Sequence, residues 1–127
     1  MAKAIERTVF RRPKHLMKAL RWSINGLKAA WINEISFRTE AIVCLICAPI
    51  GVWLGQTAIE RVVLVGSLLL VLAIELLNSA IETVIERFNP EQHILAGRAK
   101  DMGSAAVLLV LINVVVCWGL ILIPRIV

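Results

Sequence analysis

Three apolar blocks separated by polar segments determine the architecture expected for this chain. The blocks cover residues 41–54, 62–81 and 102–123. A helix needs about 20 residues to cross the hydrocarbon layer of a bilayer. The second and third blocks have that length, and the first reaches it if its helix begins near Ile35. Transmembrane helices are therefore predicted at about 35–54, 60–87 and 96–123. A re-entrant or interfacial segment is the alternative for the first of them.

A different pattern precedes the first block, over residues 14–31. Its apolar positions recur at helical spacing: Leu16, Met17, Leu20, Ile24, Leu27 and Trp31. Basic and polar side chains such as Lys18 and Arg21 lie between them, so the segment is too polar to span a membrane. This pattern predicts an amphipathic helix on the membrane surface.

Composition supports a single membrane domain over residues 1–127. Hydrophobic residues make up 59% of the chain and charged residues only 18%, against about 25% charged in soluble domains. The three cysteines all lie in apolar runs, where small buried side chains are the expected interpretation. The fold class predicted is an all-α membrane protein with three transmembrane helices per subunit plus the surface helix.

The distribution of charge predicts the orientation of these helices. Net charge is +5, and nine of the fourteen Lys and Arg residues precede Ala41. The link at 87–101 adds Arg87, Arg98 and Lys100. By the positive-inside rule both regions face the cytoplasm. A basic segment joined to membrane spans is expected to meet anionic headgroups rather than nucleic acid.

A polar stripe crosses the second apolar block and continues past its end. It consists of Glu75, Asn78, Ser79, Glu82 and Glu86, whose spacing places them along one face of a helix. An ionisable residue at membrane depth is costly and marks a candidate functional site. Three helices surround such a stripe poorly, so a homo-oligomer is expected to bury it.

Several polar groups near the predicted cytoplasmic face fit phosphoryl transfer to a lipid alcohol. Glu34 and Glu82 offer carboxylates for Mg²⁺, which takes one or two carboxylates together with waters and substrate phosphates. Lys100 offers a charge for a phosphate. Glu75 lies about 10 Å deeper than Glu82 and is placed to accept a proton from a lipid hydroxyl.

Other functions agree with these residues as well. A proton- or cation-coupled transporter would also place a Glu within a span. A structural oligomer with a polar helix interface is a third possibility, and charges such as Glu86 and Asp101 can be solvated helix ends. No Gly-rich phosphate-binding loop is present.

Four segments, however, resemble the small bacterial membrane diacylglycerol kinases. They are Ala-Ala-Trp-Ile-Asn-Glu at 29–34, Phe-Arg-x-Glu at 37–40, Glu-x-Leu-Asn-Ser-Ala-Ile-Glu at 75–82 and Gly-Arg-Ala-Lys-Asp-Met-Gly-Ser-Ala-Ala-Val at 97–107. The resemblance extends from about Lys18 to Trp118, with matching spacing.

The resemblance implies an ATP- and Mg²⁺-dependent kinase that converts diacylglycerol to phosphatidic acid. It also implies a homotrimer in the bacterial inner membrane, with cytoplasmic active sites shared between subunits. In this family Glu75 would be the catalytic base supported by Asn78, and Glu34 and Glu82 would bind the metal. ATP would contact the metal residues and His15, Trp22, Glu91, Gln92, His93, Lys100 and Asp101. The lipid would contact Glu75 and Ser36, Phe37, Arg38, Thr39, Glu40 and Ser104.

Three positions depart from the pattern of the family. His15 and Trp22 stand where an Arg and a Tyr are common, and Ile94 stands where an acidic residue is common. None of these changes affects Glu34, Glu75 or Glu82. The alternative within the family is an undecaprenol kinase, since the same scaffold phosphorylates a prenol in some bacteria.

Overall fold

The computed structural model describes residues 13–87 and 93–127, and within them the chain is helical with no strand. Four helices follow one another: α1 (Pro13–Asn33), α2 (Ile35–Leu54), α3 (Ala58–Arg87) and α4 (Ile94–Leu122). A short 3₁₀ turn at Ile123–Arg125 ends the fold. Residues 88–92, in the predicted link between the last two helices, lie outside the described residues.

Three of the helices are long and apolar enough to cross a membrane: α2, α3 and α4 together with its 3₁₀ turn. The prediction of an all-helical protein with three such helices is therefore confirmed. α1 is present as a helix of 21 residues, and its position on a membrane surface stays a prediction.

A single residue separates α1 from α2. Glu34 has an extended backbone (φ −110°, ψ 109°) between two helical neighbours. Its N–H still donates to the Ala30 carbonyl at 2.8 Å, and its own carbonyl accepts from the Arg38 N–H at 3.1 Å. With both backbone groups bonded, the junction is tightly defined, and the Glu34 carboxylate is held at the end of the helices.

α3 is the central helix, packed against both α2 and α4. On one side, Leu72 and Leu76 cover a cluster of Ala30, Phe37 and Ala41. The Cys44 thiol also donates to the Leu68 carbonyl, with the sulfur 3.6 Å from the oxygen. These contacts place α2 and the end of α1 on one flank of α3, where van der Waals packing and the thiol hydrogen bond favour association.

On the other flank a tryptophan joins α4 to α3. Trp118 Nε1 donates to the Leu64 carbonyl at 3.3 Å, and Leu64 is fully buried. A Cβ at Gly51 of α2 would lie 3.3 Å from Leu64 Cβ and 3.4 Å from the Trp118 ring. The small residue therefore lets three helices meet at one level, as small residues do in membrane bundles.

The ends of the helices far from Glu34 are tied together by two charged side chains. Thr57 and Glu60 form a reciprocal cap at the start of α3: the Thr57 hydroxyl accepts from the Glu60 N–H, and Glu60 accepts from the Thr57 N–H. Arg125, beyond α4, donates to the Glu60 carboxylate and to the Leu54 carbonyl at the end of α2. One guanidinium thus connects the ends of α2, α3 and α4.

Most of the apolar surface of the transmembrane helices faces outward. Gly103 alone is buried in α4, and large side chains such as Trp53, Leu109 and Val115 are exposed. A soluble protein rarely exposes continuous apolar surface on this scale. The chain is therefore a multi-pass membrane protein whose outward faces meet lipid or other protein.

Replacement of Arg125 by Gln is expected to lower the free energy of unfolding in detergent by about 1 kcal/mol, because a partly exposed ion pair contributes up to that amount. Glu60→Gln should lower it similarly. The double variant should be no less stable than the poorer single variant, since both changes remove the same contact. Arg87→Gln is the matched control. Additive losses would contradict the clamp seen between these residues.

Candidate active site

The polar stripe of α3 changes from buried to exposed along its length. Glu75 is 4% exposed and Asn78 is 9% exposed. Glu82 is half-buried and Glu86 is exposed. The stripe therefore begins in the helix bundle and ends at the surface, on the side of the molecule that also holds Glu34. This gradient agrees with the depth expected from the sequence.

Glu75 lies between the two flanks of α3. Leu72 and Leu76, on either side of it in the chain, pack towards α2, and Asn78 packs towards α4. The carboxylates of three other residues, Glu40, Glu82 and Glu34, are near enough to repel its charge. The structure thus brings both predicted metal residues, Glu34 and Glu82, into the electrostatic surroundings of Glu75.

Asn78 connects the buried and exposed parts of the stripe. Its side-chain Nδ2 donates to Glu82 Oε1 at 3.4 Å. Its Oδ1 is buried and has no hydrogen-bond partner among the described residues. The amide therefore holds Glu82 on the α4 side of α3, whereas Ser79 and Glu86 line the opposite side.

A cavity of about 1000 Å³ separates α1 from the outer half of α3. Its walls are mainly small and apolar, with Glu34 and Glu86 as the charged groups. The lining residues are Ser23, Gly26, Leu27, Ala29, Ala30, Asn33, Glu34, Leu76, Ser79, Ala80, Thr83, Val84 and Glu86. Seven of these thirteen residues are apolar and six carry polar side chains, and a concave space of this size can hold a small ligand.

The donor set limits the kind of metal that this site can hold. Within residues 13–87 and 93–127 no three His, Cys, Asp or Glu side chains come close enough to form a metal centre. Glu34 lines the cavity, and Glu82 does not. The described residues of one chain therefore show no assembled metal site, and Mg²⁺ binding by Glu34 and Glu82, with water and phosphate oxygens to complete the shell, stays a prediction.

The predicted ATP residues of α4 lie on different faces of its first turns. Lys100 is half-buried, three residues before the buried Gly103 and therefore on the face that meets α3. Asp101 and Ser104 are exposed, although Ser104, four residues after Lys100, is its neighbour on the helix surface. His93 caps the helix, with its Nδ1 accepting from the Leu95 N–H at 3.3 Å. Ser104, predicted to contact lipid, is thus not brought to Glu75 within one chain.

The predicted lipid residues of α2 form its first turns and differ in exposure. Ser36 and Thr39 are exposed, while Arg38 and Glu40 are half-buried. Phe37 is only 4% exposed, because its ring belongs to the core between α1, α2 and α3. Arg38 donates to the Ile32 carbonyl in the last turn of α1. The contact of these residues with lipid stays a prediction.

The ATP contacts predicted in α1 lie far from the carboxylates. At about 1.5 Å per residue, His15 is about 28 Å and Trp22 about 18 Å from Glu34 along the helix. Both side chains are exposed. The described chain therefore separates them from Glu34, whereas Ser23, next to Trp22, lines the same cavity as Glu86 at the exposed end of the stripe. Glu91 and Gln92 lie outside the described residues.

The sequence interpretation gave no role to Thr83 or to Gly103, and it named Ser79 only as part of the stripe. Ser79 and Thr83 line the cavity on α3, and the Thr83 hydroxyl donates to the Ser79 carbonyl at 2.8 Å. The backbone of Gly103 packs against Asn78. The sequence offered one signal for this contact: Gly103 begins a run of small residues, and such residues permit close helix packing.

These features define a class: a three-span membrane protein with an intramembrane carboxylate linked to polar groups at one surface. A sequence model of the family described as prokaryotic diacylglycerol kinase matches residues 21–122. The diacylglycerol kinase of Escherichia coli K12 is 50% identical over 107 residues, covering 84% of this chain and 88% of that protein. The diacylglycerol kinase of Haemophilus influenzae is 48% identical over 105 residues, covering 83% and 89%.

A more distant relative, the diacylglycerol kinase of Pseudomonas aeruginosa, is 38% identical over 109 residues, covering 86% of this chain and 89% of that protein. The chain belongs to the prokaryotic diacylglycerol kinase family. The family resemblance stated from the sequence is therefore confirmed, and with it the prediction of an enzyme of the kinase class.

Glu75→Gln is expected to raise thermal stability in detergent at pH 8 by a few degrees. The change removes a carboxylate from a buried position surrounded by other carboxylates, where burial of charge is costly. Glu86→Gln, at the exposed end of the same stripe, is the control and should leave the melting temperature unchanged. A loss of stability in Glu75→Gln would show that the native carboxylate is well compensated.

Proposed function

We propose that the protein transfers the γ-phosphoryl group of ATP to the free hydroxyl of 1,2-diacylglycerol, giving phosphatidic acid in a Mg²⁺-dependent reaction. One observation carries the proposal: in a chain of this family, a buried carboxylate within a span is joined by a polar stripe to the surface. The stripe provides a path between a lipid hydroxyl and a water-soluble nucleotide.

Glu75 is the general base of the proposed reaction. Its carboxylate is buried within the span, and the lipid hydroxyl would reach it from the bilayer between the helices. It takes the proton of that hydroxyl as the oxygen attacks the γ-phosphorus, and the bond from that phosphorus to the bridging oxygen of ATP breaks. ADP leaves with the electron pair of this bond. Low-dielectric surroundings strengthen such a proton acceptor.

Glu34 and Glu82 would hold the magnesium ion. They are the two carboxylates expected from the family pattern, and both lie in the electrostatic surroundings of Glu75. Mg²⁺, when bound, supplies neutralisation of the charge on the transferred phosphoryl group. Asn78 keeps Glu82 in place through its amide, and Glu34 is held by the bonded backbone between α1 and α2.

Lys100 and Asp101 would receive the nucleotide from α4. Lys100 lies on the face that meets α3, so its ammonium group can neutralise a phosphate next to Glu82. His93 begins the same helix, and Glu91 and Gln92 precede it in the chain. His15 and Trp22 would complete the nucleotide contacts, and their distance from Glu34 along α1 means that they meet the far end of the ligand or another subunit.

The cavity between α1 and α3 would hold the glycerol part of the lipid. Its small and apolar lining suits an acyl ester, and Glu34 lies at its edge. Ser36, Phe37, Arg38, Thr39 and Glu40, at the start of α2, would guide the lipid towards Glu75. Ser104 would contact lipid from the outer face of α4.

A homotrimer with shared sites would complete this arrangement. Asp101 and Ser104 are exposed on α4, where a neighbouring subunit can use them. Among the described residues, Arg38 Nε, Glu40 Oε2 and Asn78 Oδ1 are buried without a hydrogen-bond partner, and buried polar atoms are normally satisfied. We place the trimer in the bacterial inner membrane, with α1 on the cytoplasmic surface and the active site facing the cytoplasm.

Undecaprenol kinase activity is the alternative on the same scaffold. The relatives compared above are named diacylglycerol kinases, which favours diacylglycerol as the acceptor. A proton-coupled transporter, suggested by an intramembrane Glu alone, is not favoured in a chain of this family.

Transfer of label from γ-labelled ATP in mixed micelles tests the proposed function. Diacylglycerol should acquire label when Mg²⁺ is present and should acquire none when Mg²⁺ is chelated before ATP is added. Undecaprenol should acquire far less. Label on undecaprenol alone would reverse the choice of acceptor. A folded protein that labels neither lipid would rule out the kinase reaction.

Two isosteric variants separate the proposed roles of the carboxylates. Glu75→Gln should lower kcat by at least about 10²-fold, because general-base catalysis is worth about 10²–10⁴, with little change in Mg-ATP affinity. Glu82→Gln should instead weaken Mg-ATP binding by about tenfold or more, since one charged ligand is lost. Equal Mg-ATP affinity in both variants would contradict this division.

A further inference from the structure

α4 meets the polar stripe through a glycine rather than a side chain. A Cβ added at Gly103 would lie 2.3 Å from Asn78 Oδ1 and 3.4 Å from Asn78 Cγ. The first distance is far inside van der Waals contact. Two other glycines of α4 differ: a Cβ at Gly97 would meet nothing within 4 Å, and one at Gly119 would make an ordinary contact at 3.7 Å with the Ile123 side chain.

The Asn78 amide is held between this glycine and Glu82. One end, Oδ1, faces Gly103 and has no hydrogen-bond partner among the described residues. The other end donates to Glu82 Oε1. Because Asn78 is buried, its amide has little space in which to rotate. The glycine on one side therefore determines whether the hydrogen bond on the other side can form.

The same contact sets how closely α4 approaches α3 at this level. Lys100 lies one helical turn before Gly103 and on the same face. Asn78 likewise lies one turn before Glu82 on α3. A shift of α4 at Gly103 therefore moves the Lys100 ammonium relative to the Glu82 carboxylate. These two groups are the ones proposed to contact the phosphate and the magnesium ion of Mg-ATP.

We propose that Gly103 is a positioning residue for the Mg-ATP end of the site. Because Gly103 has no side chain, the Asn78 amide fits between α3 and α4. There it binds Glu82 and keeps the Glu82 carboxylate aligned with Lys100. The kinetic part of this inference rests on the proposed function. The contact between Gly103 and Asn78 does not.

A single methyl group at Gly103 must displace one of its neighbours. Either the Asn78 amide turns away and loses Glu82, or α4 moves outward and carries Lys100 with it. In both cases the groups for Mg-ATP are misplaced, while the packing of Leu72 and Leu76 on the α2 side of Glu75 is untouched. Gly103→Ala should therefore raise KM for Mg-ATP about tenfold, as expected for loss of a hydrogen bond to a charged group. KM for diacylglycerol should change by less than about twofold, since uniform binding of that substrate is untouched.

Shortening Asn78 removes the clash and provides the decisive comparison. The double variant Asn78→Ala/Gly103→Ala should have the same KM for Mg-ATP and the same melting temperature as the single variant Asn78→Ala. Gly119→Ala is the matched control, the same change in the same helix with room for a methyl group, and should match the wild type in both measurements.

The melting temperatures form a double-mutant cycle that needs no kinase activity. Gly103→Ala should lower the melting temperature of the wild type and leave that of Asn78→Ala unchanged, even if no lipid were phosphorylated. Gly103→Ala that behaves like Gly119→Ala, or that destabilises both backgrounds equally, would overturn the proposal. If Gly103→Ala alone does not fold, folding of the double variant supports the proposal, and failure of the double variant to fold overturns it.

Discussion

The cost of placing the Glu75 carboxylate inside a helix bundle governs the rest of this structure. An ionised group at membrane depth is expensive, and here other carboxylates lie close to it. Among the described residues, no Lys or Arg forms an ion pair with Glu75. Stability alone does not explain such a residue, because an apolar side chain would fill the same place at lower free energy. The proposed function gives a reason for the burial of Glu75, since the lipid hydroxyl and the nucleotide phosphate would meet beside its carboxylate.

The packing around α3 maintains that position from two sides. Leu72 and Leu76 join it to α2 and to the end of α1, which carries Glu34. Trp118 and Gly103 join it to α4, which carries Lys100. At the opposite end, Arg125 connects three helices through Glu60 and the Leu54 carbonyl. The site is thus formed by helices held near both ends, and small residues allow their close approach where polar groups must also fit.

Periodicity and block length were sufficient to predict the helices and the stripe. The spacing of Glu75, Asn78 and Glu82 predicts one face of a helix, and the structure finds the first two buried. Glu34 was expected just before a span, and it is the single residue between α1 and α2. These predictions succeed because they depend on local geometry, in which a three- or four-residue step keeps a side chain on one face.

Contacts between distant parts of the chain could not be predicted in the same way. Arg125 and Glu60 are far apart in sequence, and their pairing depends on how α4 leans against α3. Glu82 and Glu86 belong to one stripe, yet only Glu86 lines the cavity, because α1 and α4 occupy different sides of α3. Small residues near the start of α4 permit close packing, but the partner of Gly103 depends on helix register, which no local pattern specifies.

Labelling with a membrane-soluble carbodiimide tests most directly whether Glu75 is where the lipid hydroxyl arrives. The reagent reacts with carboxyl groups that face an apolar environment, and mass spectrometry locates the modified residue. We expect modification at Glu75, slowed by diacylglycerol in the micelle and little affected by ATP without Mg²⁺. Modification confined to Glu82 or Glu86, or a rate at Glu75 that diacylglycerol does not change, would contradict a lipid-facing role for the buried carboxylate.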